Sequence, residues 1–234
     1  MLERIDKVFS SCGVSTRSEC DNFIKKGKVY VNGERVKSPS QKVDISKDII
    51  TLNGEELTLK KLVYIMLNKP EGVVSSTDEK GQVNVIDIIP SQMKREGLFP
   101  CGRLDKDTLG LVILTNDGQS AHRRLAPKTH AEKEYLFKTA EIVTSSDVEK
   151  IEQGVTLKDG YTTMPCKVKL TTETEGIITL VEGKYHEIKR IFGSLGNKIT
   201  YLKRISFAGI YLDKSLKEGE CRYLTKSEEE LFTK

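Results

Sequence analysis

Apolar positions along this chain follow two periods, and the period switches repeatedly between them. Leu2, Ile5, Val8 and Phe9 recur at helical spacing, which predicts a short amphipathic helix over roughly the first eleven residues, ended by Gly13. Thr16-Arg-Ser-Glu19 has the spacing of a capping box, in which hydroxyl and carboxylate satisfy free N–H groups at a helix start. Cys20, Phe23 and Ile24 give that second helix its apolar face, and Gly27 suits its C-terminal cap. Val29-Tyr-Val-Asn32-Gly33 then reads as a hairpin, because Asn-Gly accepts the positive φ of a tight turn; Ile49 to Leu57, around Asn53-Gly54, repeats the device. These elements predict a compact unit over residues 1–58. Glu55 to Lys61 is short and polar, and the expected second domain runs from 59 to 234.

In the second stretch, Val63 to Leu67 predicts a strand running into a Lys69-Pro-Glu-Gly72 turn. Gln82 to Ile89 is expected to form a short helical segment closed by Pro90. Leu109 to Leu114 is a continuous apolar run stopped by Thr115-Asn-Asp-Gly118, the pattern of a buried core strand, and Gln119 to Leu125 predicts a helix after it. Ala131 to Thr139 alternates as a strand does. A helix is expected over Ser146 to Gly154, with Ser146 or Asp147 near its cap, and a strand–turn–strand over Val155 to Leu170. Ile177 to Leu180 predicts a strand that breaks at Gly183. The helix after it carries Lys189 and Arg190 outside, with Ile188, Ile191 and Phe192 on its core side. The acidic tail from Lys226 to Lys234 is expected to fray.

Composition narrows the class. The chain has 234 residues, 31% charged and 37% hydrophobic, enough to bury a core and too apolar for a disordered chain. No apolar run is long enough to span a bilayer, and the first residues lack a signal-peptide hydrophobic region. Five cysteines, odd in number and without a Cys-x-x-Cys, argue for reduced thiols and a cytoplasmic setting. Neither they nor His122, His130 and His186 show metal-ligand spacing, so no metal site is expected. The net charge of +4 is mild, but residues 1–42 hold nine basic side chains against five acidic ones. An excess of that kind at one end suits phosphate contacts.

The candidate chemistry centres on Cys101-Gly-Arg103-Leu-Asp105-Lys-Asp-Thr108, a charged loop placed directly before the Leu109–Leu114 strand. A carboxylate at the mouth of a buried strand is rigidly supported, as a catalytic group must be. By itself, an aspartate leading a strand is also a common turn residue. Gly102-Arg-Leu-Asp105, Thr108, Gly110-Leu111 and Leu114-Thr-Asn-Asp-Gly118 resemble the signature of the pseudouridine synthases, in particular their small-subunit ribosomal RNA branch. Lys69-Pro-x-Gly72, Lys133-Glu-Tyr135 and Glu182-Gly-Lys-Tyr-His-Glu-Ile-Lys189-Arg190 resemble further motifs of that family, in order. Residues Gly13 to Ser18 and Ile24 to Gly33, with Val36, resemble the RNA-binding module of small-subunit ribosomal protein four.

The resemblance implies an α+β fold, with a small α/β RNA-binding module followed by a catalytic domain of mixed, mainly antiparallel sheet around a central cleft. It implies an RNA isomerase that turns a uridine of small-subunit (16S) ribosomal RNA into pseudouridine. Asp105 would be the catalytic aspartate, Tyr135 the ring against the uracil and Lys189 the cation paired with Asp105. Many members carry Arg at the Lys189 position and Gln where this chain has Glu187. Arg103 and Arg190 would meet substrate, and Arg17, Lys25, Lys26, Lys28 and Arg35 would meet RNA phosphates. Isomerisation oxidises nothing and releases nothing, so no cofactor is expected. The implied partner is ribosomal RNA, bare or in a partly assembled small subunit, with the protein a monomer and no membrane involved. Two alternatives stand beside this: a large-subunit (23S) ribosomal RNA target, and a non-catalytic ribosomal RNA-binding assembly factor.

Overall fold

A computed structural model describes every residue except Met1, Asp78, Lys80 and His130, so the expectation for His130 lies outside the described residues. The chain divides into two compact units, residues 1–63 with 90–98, and residues 64–89 with 99–234. The division falls at Val63/Tyr64 instead of 58/59, and Pro90–Leu98 joins the first unit from the middle of the sequence.

The first unit opens with β1 (Glu3–Arg4) and α1 (Ile5–Ser11), followed by α2 (Arg17–Lys25), β2 (Val29–Val31), β3 (Glu34–Arg35), β4 (Lys42–Val43), β5 (Ile50–Leu52) and β6 (Glu55–Glu56). The predicted capping box is present: Thr16 Oγ1 accepts from Glu19 N–H at 3.2 Å, and Glu19 accepts from Thr16 N–H at 2.8 Å. Both Asn-Gly pairs turn hairpins at positive φ, Asn32 at 52° and Asn53 at 54°. The four-stranded sheet β3-β2-β5-β6 is antiparallel throughout, and β1 pairs with β4. Ile5, Val8, Phe9, Cys20, Ile24, Val29 and Ile50 form its core.

The second unit holds β7 (Tyr64–Lys69), β8 (Phe99–Cys101), β9 (Leu109–Thr115), α3 (Gly118–Leu125), β10 (Lys133–Thr139), α4 (Ser145–Gln153), β11 (Lys167–Leu170), β12 (Glu175–Leu180), α5 (Glu187–Ser194), β13 (Ile199–Phe207), β14 (Ile210–Tyr211), β15 (Cys221–Tyr223) and α6 (Lys226–Thr233). Nine strands make one sheet ordered β11-β12-β10-β13-β9-β7-β15, with β14 on β13 and β8 on β9. Every pairing is antiparallel except β13 with β9, so the sheet is mixed and mainly antiparallel, as expected. All seven residues of β9 are buried, which fits a strand covered on both faces.

Three local expectations change. Residues 82–89 form no helix: Val85 N–H bonds to Val74 O at 3.0 Å, and the Asn84 side chain takes the Ile86 N–H at 2.8 Å, folding the segment as bridge and turn. An asparagine satisfying its own neighbours' N–H groups favours a turn over a helix. The cap of α4 is Thr144, with Asp147 the third residue of its box and not the cap itself. The tail does not fray. Thr225 and Glu228 cap α6, and fully buried Phe232 meets the Tyr64 ring edge-on at 5.5 Å.

Candidate active site

The loop from Gly102 to Thr108 links two antiparallel neighbours, β8 and β9, and is held from several directions. Gly102 takes a positive φ of 80°, and Thr108 N–H closes the turn on Asp105 O at 3.1 Å. Arg204 of β13 donates to Leu111 O at 2.7 Å and to Gly102 O at 3.1 Å, while its guanidinium lies over the Phe207 ring. It is 1% exposed, and no carboxylate pairs with it among the described residues. Lys69, fully buried at the end of β7, reaches Lys106 O at 3.2 Å and Pro70 O at 2.9 Å, and Gly72 N–H bonds to the same Lys106 carbonyl at 2.9 Å. Burial pushes the Lys69 pKa down to about 8. The loop that carries the aspartate is therefore fastened to β7, β9 and β13.

Asp105 faces α5. Its Oδ2 lies 3.0 Å from Lys189 Nζ, and its Oδ1 lies 3.5 Å from His186 Nε2. Lys189 is shared, since Asp107 Oδ1 approaches the same ammonium at 2.5 Å. Burial works against the Lys189 charge, but hydrogen bonds to Asp107 and Asp105 outweigh it and hold its pKa above the ordinary lysine value. Tyr135 is buried in β10, paired with Ile178 on one side and Arg204 on the other, and it lines one small cavity of about 70 Å³ with Asp105 and Lys189. A wider cavity of about 560 Å³ shares Arg103, Asp105 and His186 with it.

Helix α5 starts without a side-chain cap. His186 precedes it in the left-handed conformation, φ 50° and ψ 34°, with its ring stacked on Tyr185 at 3.8 Å. Such a conformation is uncommon in a non-glycine residue and recurs at functional sites. Glu187, the first helical residue, is 4% exposed. Its Oε2 accepts from Lys184 N–H at 2.8 Å, and its Oε1 meets no donor. Burial, with the neighbouring Glu182 carboxyl beside it, raises its carboxyl to about 7 and favours the protonated form. Burial also disfavours charge on Glu182, but the Tyr161 hydroxyl at 2.6 Å, the neighbouring Glu187 carboxyl and Met164 N–H at 2.7 Å hold its pKa low.

The structure brings Arg103, Asp105, Tyr135 and Lys189 together and leaves Arg190 out. Arg190 ion-pairs with Asp159 and donates to Tyr185 O at 3.4 Å, and it lines neither cavity. Arg103 is exposed at the rim, 3.7 Å from Glu79. In the first unit Arg17, Lys25, Lys26, Lys28 and Arg35 are all exposed around α2 and the hairpin, with Lys25 paired to Asp21 at 2.6 Å. Among the described residues no three His, Cys, Asp or Glu side chains gather as a metal would need, and no helix is long and apolar enough to cross a membrane. Sequence reading quoted Lys69 and His186 within motifs without giving either a site role of its own, and it passed over Asp107 and Arg204. Asp107 had a visible signal, an aspartate two residues beyond Asp105, whereas Arg204 had none because its partners lie some ninety residues away.

Known proteins match this chain in sequence and in fold. Residues 63–194 match the RNA pseudouridylate synthase family, and residues 3–50 match the S4 domain. The ribosomal small subunit pseudouridine synthase A of Vibrio vulnificus is 39% identical over 228 residues, covering 96% of this chain and 97% of the relative. The ribosomal large subunit pseudouridine synthase B of Bacillus subtilis is 37% identical over 234 residues, covering 97% and 94%. A crystal structure of a pseudouridylate synthase superposes with a TM-score of 0.69 at 38% identity, over 98% of this chain and 99% of that one.

Proposed function

This chain belongs to the RNA pseudouridine synthase family and is an RNA isomerase with an N-terminal S4 RNA-binding domain; on that premise we propose that it converts one specific uridine of small-subunit ribosomal RNA to pseudouridine, with Asp105 acting at the ribose. The observation that carries the residue assignment is the 3.0 Å ion pair between Asp105 and Lys189, set in a cavity that Tyr135 also lines.

The reaction is balanced within the nucleotide. The C1′–N1 bond breaks, the uracil turns, a C5–C1′ bond forms, and the proton leaving C5 is matched by one gained at N1. A cavity of about 70 Å³ has no room for duplex, so the nucleotide must leave its stack first, a step of a few kcal/mol that contacts in the pocket offset. Arg103 at the rim is placed to fill the space the base leaves. Tyr135 offers its ring to the uracil, which suits an aromatic with a polar hydroxyl. Asp105 then either attacks C1′ or takes the C2′ proton, and Lys189 stays charged beside it through either step. The exposed cations of the S4 domain supply phosphate contacts, which place the enzyme without reading sequence. Family membership displaces the non-catalytic alternative. The proposed setting is the cytoplasm, with the protein a monomer on ribosomal RNA.

The test is to incubate the protein with unmodified small-subunit ribosomal RNA, bare and in a partial particle, and with large-subunit RNA, mapping pseudouridine by carbodiimide-stop primer extension. One new stop in the small-subunit RNA is expected. A stop only in the large-subunit RNA would overturn the subunit assignment and keep the chemistry.

A further inference from the structure

The cavity outside the uridine pocket has an unusual wall. Tyr185 is 77% exposed, the highest value among the large apolar side chains, yet it is not loose: one face lies on the His186 ring at 3.8 Å and 18°. His186 in turn sits 3.5 Å from Asp105, so a fixed line of contacts runs from the exposed ring to the carboxylate. The left-handed backbone of His186 holds the arrangement, since it turns the chain sharply between β12 and α5. Both rings line the cavity of about 560 Å³, beside the cations Arg103, Lys106 and Lys184, which outnumber the carboxylates Glu79 and Asp105. Lys106 is held at the wall by Gln82 at 2.9 Å, and the Lys184 ammonium lies 4.8 Å from the Tyr161 ring. Ser75, 3% exposed, lines the same cavity with a hydroxyl that finds no partner among the described residues.

We propose that the free face of Tyr185, backed by His186, is a stacking platform for the base of a nucleotide adjacent to the flipped uridine, so that the enzyme holds a splayed dinucleotide. The inference rests on the reading of Asp105 as the group that meets the target ribose, and it adds a second nucleotide subsite to it. An exposed aromatic ring is costly to leave in water, and every base has a π-face to cover it. The second ring behind Tyr185 fixes its orientation in advance, which lowers the ordering cost of binding. The cationic wall suits the phosphate that joins the two nucleotides. A platform of this kind favours an unpaired neighbour over a paired one and tolerates any of the four bases.

The experiment uses the mapped ribosomal RNA site with 2-aminopurine replacing either neighbour of the target uridine. In parallel it uses an oligouridylate pentamer with 2-aminopurine at its centre, which reads stacking without turnover. Wild-type protein and Tyr185→Phe should quench the fluorophore at one neighbour and in the pentamer. Tyr185→Ala should lose that quench and bind on the order of tenfold more weakly. Tyr185 is exposed, so unchanged melting will confirm that the variant is folded. Equal quenching and affinity in wild type and Tyr185→Ala would overturn the platform while pseudouridine formation stands, and so would a pentamer that fails to bind the wild type. Loss in Tyr185→Phe equal to that in Tyr185→Ala would assign the effect to the hydroxyl and overturn stacking. Absence of pseudouridine with the pentamer quench intact would instead count against the assigned substrate.

Discussion

Glu187 shows how one substitution is absorbed at the residue scale. The motif resemblance implies Gln at this position, and a buried carboxylate in its place would be expensive without a partner. Here burial and Glu182 raise the carboxyl to about 7, which favours the neutral acid, and its Oε2 accepts from Lys184 N–H as an amide oxygen would. The linkage has a definite sign. Between about pH 4.5 and 7 the folded protein holds a proton that the unfolded chain has released, so this group's contribution falls as pH rises and is lost above 7. Glu187→Gln should therefore melt close to the wild type at pH 5 and several degrees above it at pH 8. A difference that does not change with pH would refute the raised Glu187 carboxyl. The sequence named Asp105, Tyr135 and Lys189 as candidates through motif resemblance. It quoted His186 only within a motif, because the role of that residue comes from a backbone conformation that no composition or spacing records.

At the scale of elements, the aspartate loop depends on one strand crossing. β9 and β13 form the parallel pairing in the sheet, with Lys203 opposite Leu109 and Arg204 opposite Gly110. Gly110 has φ +100°, and a Cβ there would lie 2.2 Å from the Arg204 carbonyl oxygen. Neither atom can yield without breaking the register that also aims the Arg204 guanidinium at Gly102 O. Gly110→Ala should cost about 3 kcal/mol or more, by strain at positive φ and backbone collision, and denaturant unfolding will measure it. A loss below about 1 kcal/mol would mean that the strands separate easily there. The sequence predicted β7, β9, β10 and β12 because their apolar runs are long and bounded by turn residues. It missed the α6 cap and read residues 82–89 as helix. Both errors come from short-range hydrogen bonding that apolar periodicity does not register: Thr225 with Glu228, and Asn84 with Ile86.

Over the whole molecule, the two units divide the work of holding RNA and reacting with it. The sequence located both, but its boundary at 58/59 followed polarity, whereas contacts place Leu59 against the first core and add residues 90–98 to that unit. No local pattern announces that a mid-chain segment belongs with the N-terminal unit. The exposed cations of the S4 domain should act through phosphates alone. Replacing Arg17, Lys26 and Lys28 with Gln should make the salt dependence of RNA affinity shallower by about 2–3 in log–log slope. The saturated single-turnover rate should remain nearly unchanged. An unchanged slope would move the RNA path away from α2 and the β2–β3 hairpin.

If Asp105, held by Lys189, performs the chemistry, this shows most plainly in the single-turnover rate of pseudouridine formation by Asp105→Asn on the mapped site. The asparagine matches the aspartate in size and should leave melting and RNA affinity close to wild type. The rate should fall by at least about 10⁴-fold, the scale seen when a reacting group is removed. A folded, RNA-binding Asp105→Asn protein that retains a rate within about tenfold of the wild type would contradict the account.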